Sequence, residues 1–170
     1  MSDRNGYTRA HEVALLRRTA LNTLAALAAS TSASGAIQPM AMRNFGRTSE
    51  KVSAIGLGGY QPGIPKDPAT AVRIVRTAVD GGMTFMDNCW DYQDGESERR
   101  MGVGLRDGYR QKVFPMSKFD GRTKGSTAQQ IDESLQRSQT DHLDLVQDHE
   151  NIRMEDPDLF FAEAGTWRLC

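Results

Sequence analysis

The chain has 170 residues, with 21 basic and 22 acidic side chains and a formal net charge of −1. No basic patch is interleaved with aromatics, which argues against a nucleic-acid surface. The two cysteines, Cys89 and Cys170, form neither a disulfide framework nor a metal-ligand spacing.

Residues 1–41 differ from the rest. Arg17-Arg18 precedes a mildly apolar run to Ala29, and small residues follow from Ser30 to Ala36. This is the layout of an export signal, and the paired arginines resemble a twin-arginine leader. The run is shorter than the about 20 apolar residues that span a bilayer, so no membrane association is expected beyond such a leader. Export to the periplasm is expected if the leader works, and a cytoplasmic location otherwise. A disordered or loosely helical Ala-rich extension is the alternative.

After the leader, Arg43–Phe45, a turn at Gly46, and Lys51–Gly58 read as strand, turn, strand, with Val52, Ile55 and Leu57 apolar. Gly56, Gly58 and Gly59 leave room for a ligand near the backbone. No Gly-x-Gly-x-x-Gly turn opens a helix here, so the pattern is not a Rossmann turn. Asp67 and Pro68 suit the start of a helix whose stripe is Ala71, Val72, Val75, Ala78 and Val79. Gly81-Gly82 ends it, and the run from Met83 reads as a buried strand closing in Asp87. A helix over 97–105 follows, with Ser97 as its expected cap. Lys112–Lys118 is the next strand, although Pro115 in its middle removes a ladder donor. A helix over 126–138, a strand over 143–149 ending in His149, and a helix start near Asp158 complete the order. Ser138 stands at a helix end where an apolar residue is expected, and Asp148 is placed to perturb the neighbouring imidazole.

Alternating strands and helices predict a parallel sheet with right-handed crossovers. In a barrel of this kind the active site lies at the C-terminal strand ends, and Asp87, Lys118 and His149 each stand at one. Tyr92 follows in the loop after the second of these strands. An acid, a phenol, an amine and an imidazole at one mouth suit carbonyl reduction by a nicotinamide hydride, or its reverse. Tyr92 is then the general acid. A free phenol titrates near 10, roughly three units too high for easy exchange at neutral pH, and a cation such as Lys118 lowers that value. Asp87 would hold Lys118 in place, and His149 would orient the carbonyl. A metal held by Asp87 and His149 lacks a third ligand of convincing spacing, so no metal is expected. Cys89 reads as a small buried residue, and His142 and His11 as surface residues.

Asp87-Asn-Cys-Trp-Asp-Tyr92, followed by Asp94-Gly-Glu-Ser-Glu, resembles the first signature of the aldo-keto reductases. Phe45-Gly-Arg-Thr before Val52-Ser-Ala-Ile-Gly-Leu-Gly-Gly59 is similar to that family's opening hairpin and first strand. Ile131-Asp-Glu-Ser-Leu and Thr140-Asp-His-Leu-Asp-Leu-Val-Gln-Asp-His149 are similar to its third helix and fourth strand. The resemblance implies an α/β fold of the (β/α)8 TIM-barrel type, with about the first four β/α units in residues 42–170. It assigns Tyr92, Asp87, Lys118 and His149 the catalytic roles above. It also implies NADP(H) as cofactor, met by Gly59, Tyr60 and Asp87, and a small carbonyl substrate. A full barrel takes about 250 residues, so this chain reads as its first half. Open sheet edges of such a half predict self-association. The alternative to an enzyme is a non-catalytic fragment that pairs with another chain or does not fold stably.

Overall fold

The computed structural model describes residues 39–168. The leader expected over 1–41, with Arg17-Arg18, lies outside them apart from residues 39–41, as does His11.

The described chain opens with a hairpin of β1 (Met42–Asn44) and β2 (Lys51–Ser53), paired antiparallel. The expected long second strand is two strands. It breaks at Ala54-Ile55, where Ile55 is exposed, and resumes as β3 (Gly56–Gly58) in a different sheet. The hairpin places Phe45 against Phe85 and Phe114, whose rings lie 5.2–6.1 Å apart. This aromatic cluster closes the end of the main sheet opposite the strands' C-terminal rim.

That main sheet has four parallel strands in the order β3, β4 (Phe85–Asp87), β5 (Phe114–Phe119) and β6 (Leu145–Asp148). Helix α1 (Pro68–Asp80) joins β3 to β4, α2 (Glu96–Gly104) joins β4 to β5, and α3 (Lys124–Ser138) joins β5 to β6. A short α4 (Asp156–Phe161) follows β6. The architecture is the (β/α) pattern expected from the sequence.

Local chemistry explains most element boundaries. The Asp67 carboxylate accepts a hydrogen bond from the Ala69 N–H, and Pro68 occupies the first turn, where its missing donor costs nothing. Helix α3 begins two residues earlier than expected, because Thr123 and Ser126 form a reciprocal capping box. Helix α4 likewise begins at Asp156. Its buried carboxylate accepts from the N–H groups of Ile152 and Arg153 and from the Arg122 guanidinium. Ser97 is not a cap. Gln93, Asp94 and Gly95 all take positive φ, the helix starts at Glu96, and Ser97 is buried inside the first turn.

Pro115 sits in a four-stranded parallel sheet without breaking it. Phe114 N–H donates to Thr84 O and Asn88 N–H donates to the Met116 carbonyl, so the even-numbered residues of β5 bond β4. Pro115 therefore turns its missing donor towards β6, which begins only opposite Met116, and its carbonyl still accepts from Asp144 N–H.

The core of Val75, Val79, Met86, Met101 and Leu105 lies between the sheet and helices α1 and α2. Helix α2 also crosses the end of α3 closely. A Cβ on Gly102 would stand 2.6 Å from the Ser138 carbonyl oxygen. The α3 terminus thus meets its neighbour through backbone, where an apolar side chain at 138 is not required.

Candidate active site

Period-two alternation decides what reaches the rim. Asp87 ends β4, Lys118 is the fifth residue of β5, and His149 follows β6. The backbone N–H of His149 donates to Phe119 O at 2.7 Å, which continues the β5–β6 pairing one step beyond the strand. Asp148 points to the other face, into a cavity lined by Phe119, Thr127, Ile131 and Trp167. It is therefore not a partner of the imidazole. Burial raises its carboxyl above the usual aspartate range, and Oδ1 has no hydrogen-bond partner among the described residues.

The four residues expected to converge do so. The Lys118 ammonium donates to the Asp87 carboxylate, to the Asn88 carbonyl at 2.9 Å and to the Tyr92 hydroxyl at 3.4 Å. It also lies 5.0 Å from the centroid of the Tyr92 ring. Burial pulls the ammonium down, but the bonded Asp87 carboxylate and Tyr92 outweigh it and hold Lys118 above the ordinary lysine range. The His149 ring meets Tyr92 edge-on, with centroids 5.8 Å apart. Tyr60 packs edge-on against Tyr92 from the other side at 5.4 Å and is half exposed.

Gly59 is buried, and the space left by its missing side chain is filled by protein. A Cβ there would stand 2.6 Å from both Asn88 Oδ1 and the Asp87 carbonyl oxygen. The Gly59 N–H donates to that same carbonyl. Gly59 thus lets β3 approach the Asp87 loop, while Gly58 opens onto free space.

Other residues at the rim carry no periodic signal in the sequence. Trp90 is held on three sides. Its backbone N–H donates to Lys118 O at 3.0 Å, its indole N–H donates to Glu133 at 2.8 Å, and its carbonyl accepts from Arg137 at 2.8 Å. Arg137 also lies 3.5 Å from Glu98, a fully buried carboxylate that accepts from Ser117 Oγ. The polar loop carrying Tyr92 is thereby tied to β5 and to α3. Only the fold could disclose this, since the partners lie more than 40 residues apart along the chain.

The cysteine, a carboxylate and the histidine also meet at the rim. Cys89, Asp91 and His149 bring one donor atom each within 4.8 Å of one another. Cys89 is buried as expected, and its thiol donates weakly to Lys118 O at 3.5 Å. Burial, and then the adjacent Asp91, push that thiol far up. His142 lies exposed beside Asp141, as expected of a surface residue.

Comparison with known proteins agrees with this geometry. The profile of the Aldo/keto reductase family matches residues 54–163. The chain is 30% identical over 117 residues to the aldo-keto reductase YhdN of Bacillus subtilis, covering 60% of this chain and 35% of that protein. It is 35% identical over 95 residues to the methylglyoxal reductase YeaE of Escherichia coli, covering 54% and 33%. Among solved structures, an aldo-keto reductase from Klebsiella pneumoniae in complex with NADPH superposes with a TM-score of 0.58 at 30% identity, over 65% of this chain and 40% of that one. The chain thus spans about a third of the length of these curated relatives. With more than half of its residues inside the family match and its parallel strands in the family's fold, the chain belongs to the aldo/keto reductase family.

Proposed function

We propose that the rim reduces small aldehydes or ketones to alcohols with hydride from NADP(H), or runs the reverse oxidation. One observation carries this reading. The Lys118 ammonium bridges the Asp87 carboxylate and the Tyr92 hydroxyl at the C-terminal end of a parallel sheet, with His149 beside the phenol. The residues present fit the nicotinamide end of such a cofactor. Gly58 opens onto free space, Tyr60 is half exposed, and the Asp87 side chain is 38% exposed, so its carboxylate could accept from a ribose hydroxyl. The Klebsiella relative holds NADPH.

When bound, the reduced nicotinamide supplies the hydride to the carbonyl carbon. This chain's residues handle the oxygen. Tyr92 Oη donates its proton to the oxygen as negative charge grows there. The phenolate left behind faces the Lys118 ammonium, whose positive charge stabilises it. Asp87 keeps that ammonium in place and charged. Among the described residues, neither ring nitrogen of His149 has a hydrogen-bond partner, which leaves the ring able to donate to the carbonyl oxygen and fix its direction. Proton transfer by a positioned group contributes about 10²–10⁴-fold. Tyr92→Phe should therefore lower turnover of a test aldehyde by about that factor, while NADPH fluorescence is still quenched on binding and the thermal midpoint is kept. Equal turnover in the variant would overturn the assignment.

A second reading rests on the sheet's edges. Within the described residues, β3 and β6 each pair on one side only. An apolar groove lies beside each, with Leu57, Ile74 and Met83 at one edge and Val146, Phe160 and Trp167 at the other. The occupant we propose is a second copy of this chain. A two-fold axis would set β6 of each copy beside β3 of the other, which keeps every strand parallel and closes a ring of eight.

A further inference from the structure

We propose that Cys89, Asp91 and His149 form a reversible binding site for a divalent transition metal, zinc or cobalt, whose occupancy silences the rim. The three donors come from two separate stretches of chain. Cys89 and Asp91 flank Trp90 in the loop after β4, and His149 directly follows β6. Their ligand atoms already lie within 4.8 Å of one another. A tetrahedral ion with bonds of about 2.0–2.3 Å sets donors about 3.3–3.8 Å apart. The required contraction is about an ångström, and Asp91, which is exposed, can supply it by a rotamer change.

The donor chemistry is selective. A thiolate with an imidazole favours zinc or cobalt over magnesium or calcium, which take oxygen donors. Charge also matches. One thiolate and one carboxylate neutralise a dication, while Lys118 and Asp87 already neutralise each other. Three protein ligands leave a fourth position for water, as in an open zinc site. The donors are held in place by their neighbours. The Cys89 N–H donates to Asn88 Oδ1 at 2.9 Å, and its carbonyl accepts from the Tyr92 N–H at 3.3 Å. On binding, the Cys89 S–H bond breaks, its proton goes to solvent, and the sulfur lone pair forms the metal bond.

The effect on turnover rests on the roles given to Tyr92 and His149 above, whereas binding itself does not. A metal on His149 would fix the ring that packs on Tyr92 and hold a dication beside the phenol.

The test uses the reduced full chain and cobalt(II) chloride. One equivalent should raise a thiolate-to-cobalt charge-transfer band in the near ultraviolet, and zinc chloride should abolish it by displacement. Cys89→Ser should remove the band, Asp91→Asn should weaken cobalt affinity about tenfold or more, and Cys170→Ser should leave both unchanged. No band, or a band that survives in Cys89→Ser or vanishes in Cys170→Ser, overturns the site. Zinc should also inhibit NADPH-dependent turnover in the native chain but not in Cys89→Ser. If zinc binds without inhibiting an active chain, the placement over His149 is wrong. If the chain has no turnover at all, the catalytic reading fails while the cobalt band still decides the metal site.

Discussion

The rim between β4 and β5 and the outer edge beyond β6 contribute to the same mouth but are built differently. Asp87, Tyr92 and Lys118 stand where neighbours brace them on both sides. Asn88 and Trp90 donate to β5 backbone, and Glu133 and Arg137 grip Trp90 from α3. His149 is held from one side only, by its own N–H on Phe119 O and by Arg122 on its carbonyl. Beyond it, Ile152 is 77% exposed, Met154 94% and Phe161 68%. The lesson is that the Asp87–Lys118–Tyr92 cluster is braced within the described sheet itself. The His149 ring, next to the open edge, depends more on whatever covers β6.

The largest effect expected from that contrast is on assembly. Sedimentation of the full chain should give twice the monomer mass, and Phe161→Glu at the open edge should shift it towards the monomer. A native chain that stays a compact, cooperatively melting monomer would break the comparison, because the edge would then need no cover.

Next in size is the brace. Arg137→Met removes the grip on Trp90 and leaves Glu98, fully buried, without its nearby cation. Breaking a buried pair from one side costs about 3–5 kcal/mol. Denaturant unfolding should show a loss of that order, and a loss under about 1 kcal/mol would mean that the rim is held by something else.

The smallest effect sharpens the edge. Asp148 is raised by burial, so the folded chain binds its proton more tightly than the unfolded chain does. Its contribution is then most favourable below the unfolded value of about 3.9 and declines as pH climbs through the higher folded value. Lys118 is also raised, and its contribution persists up to the unfolded value of about 10.4 and is lost above it. Asp148→Asn should therefore raise stability at neutral pH and flatten the acid-side slope while leaving the alkaline loss in place. A thermal midpoint measured from pH 3 to pH 11 separates the two groups.

Local interactions made much of this protein legible in its sequence. The Asp67–Pro68 helix start, the stripe of α1 and the strands at whose ends Asp87, Lys118 and His149 stand depend on residues within a turn or a strand of one another. The order of those strand ends was enough to predict one rim. The boundary at Ser97 was misplaced because the turn at Gln93 to Gly95 is set by backbone conformation, and those of α3 and α4 because side-chain caps start these helices two residues early. The sequence could not disclose the contacts that join distant segments: the Trp90–Glu133–Arg137 brace, the space of Gly59 filled by Asn88, and the meeting of Cys89 with His149. Such contacts have no period and no fixed spacing. They exist only once four strands lie side by side and the alternation of each one has decided which side chains share a face.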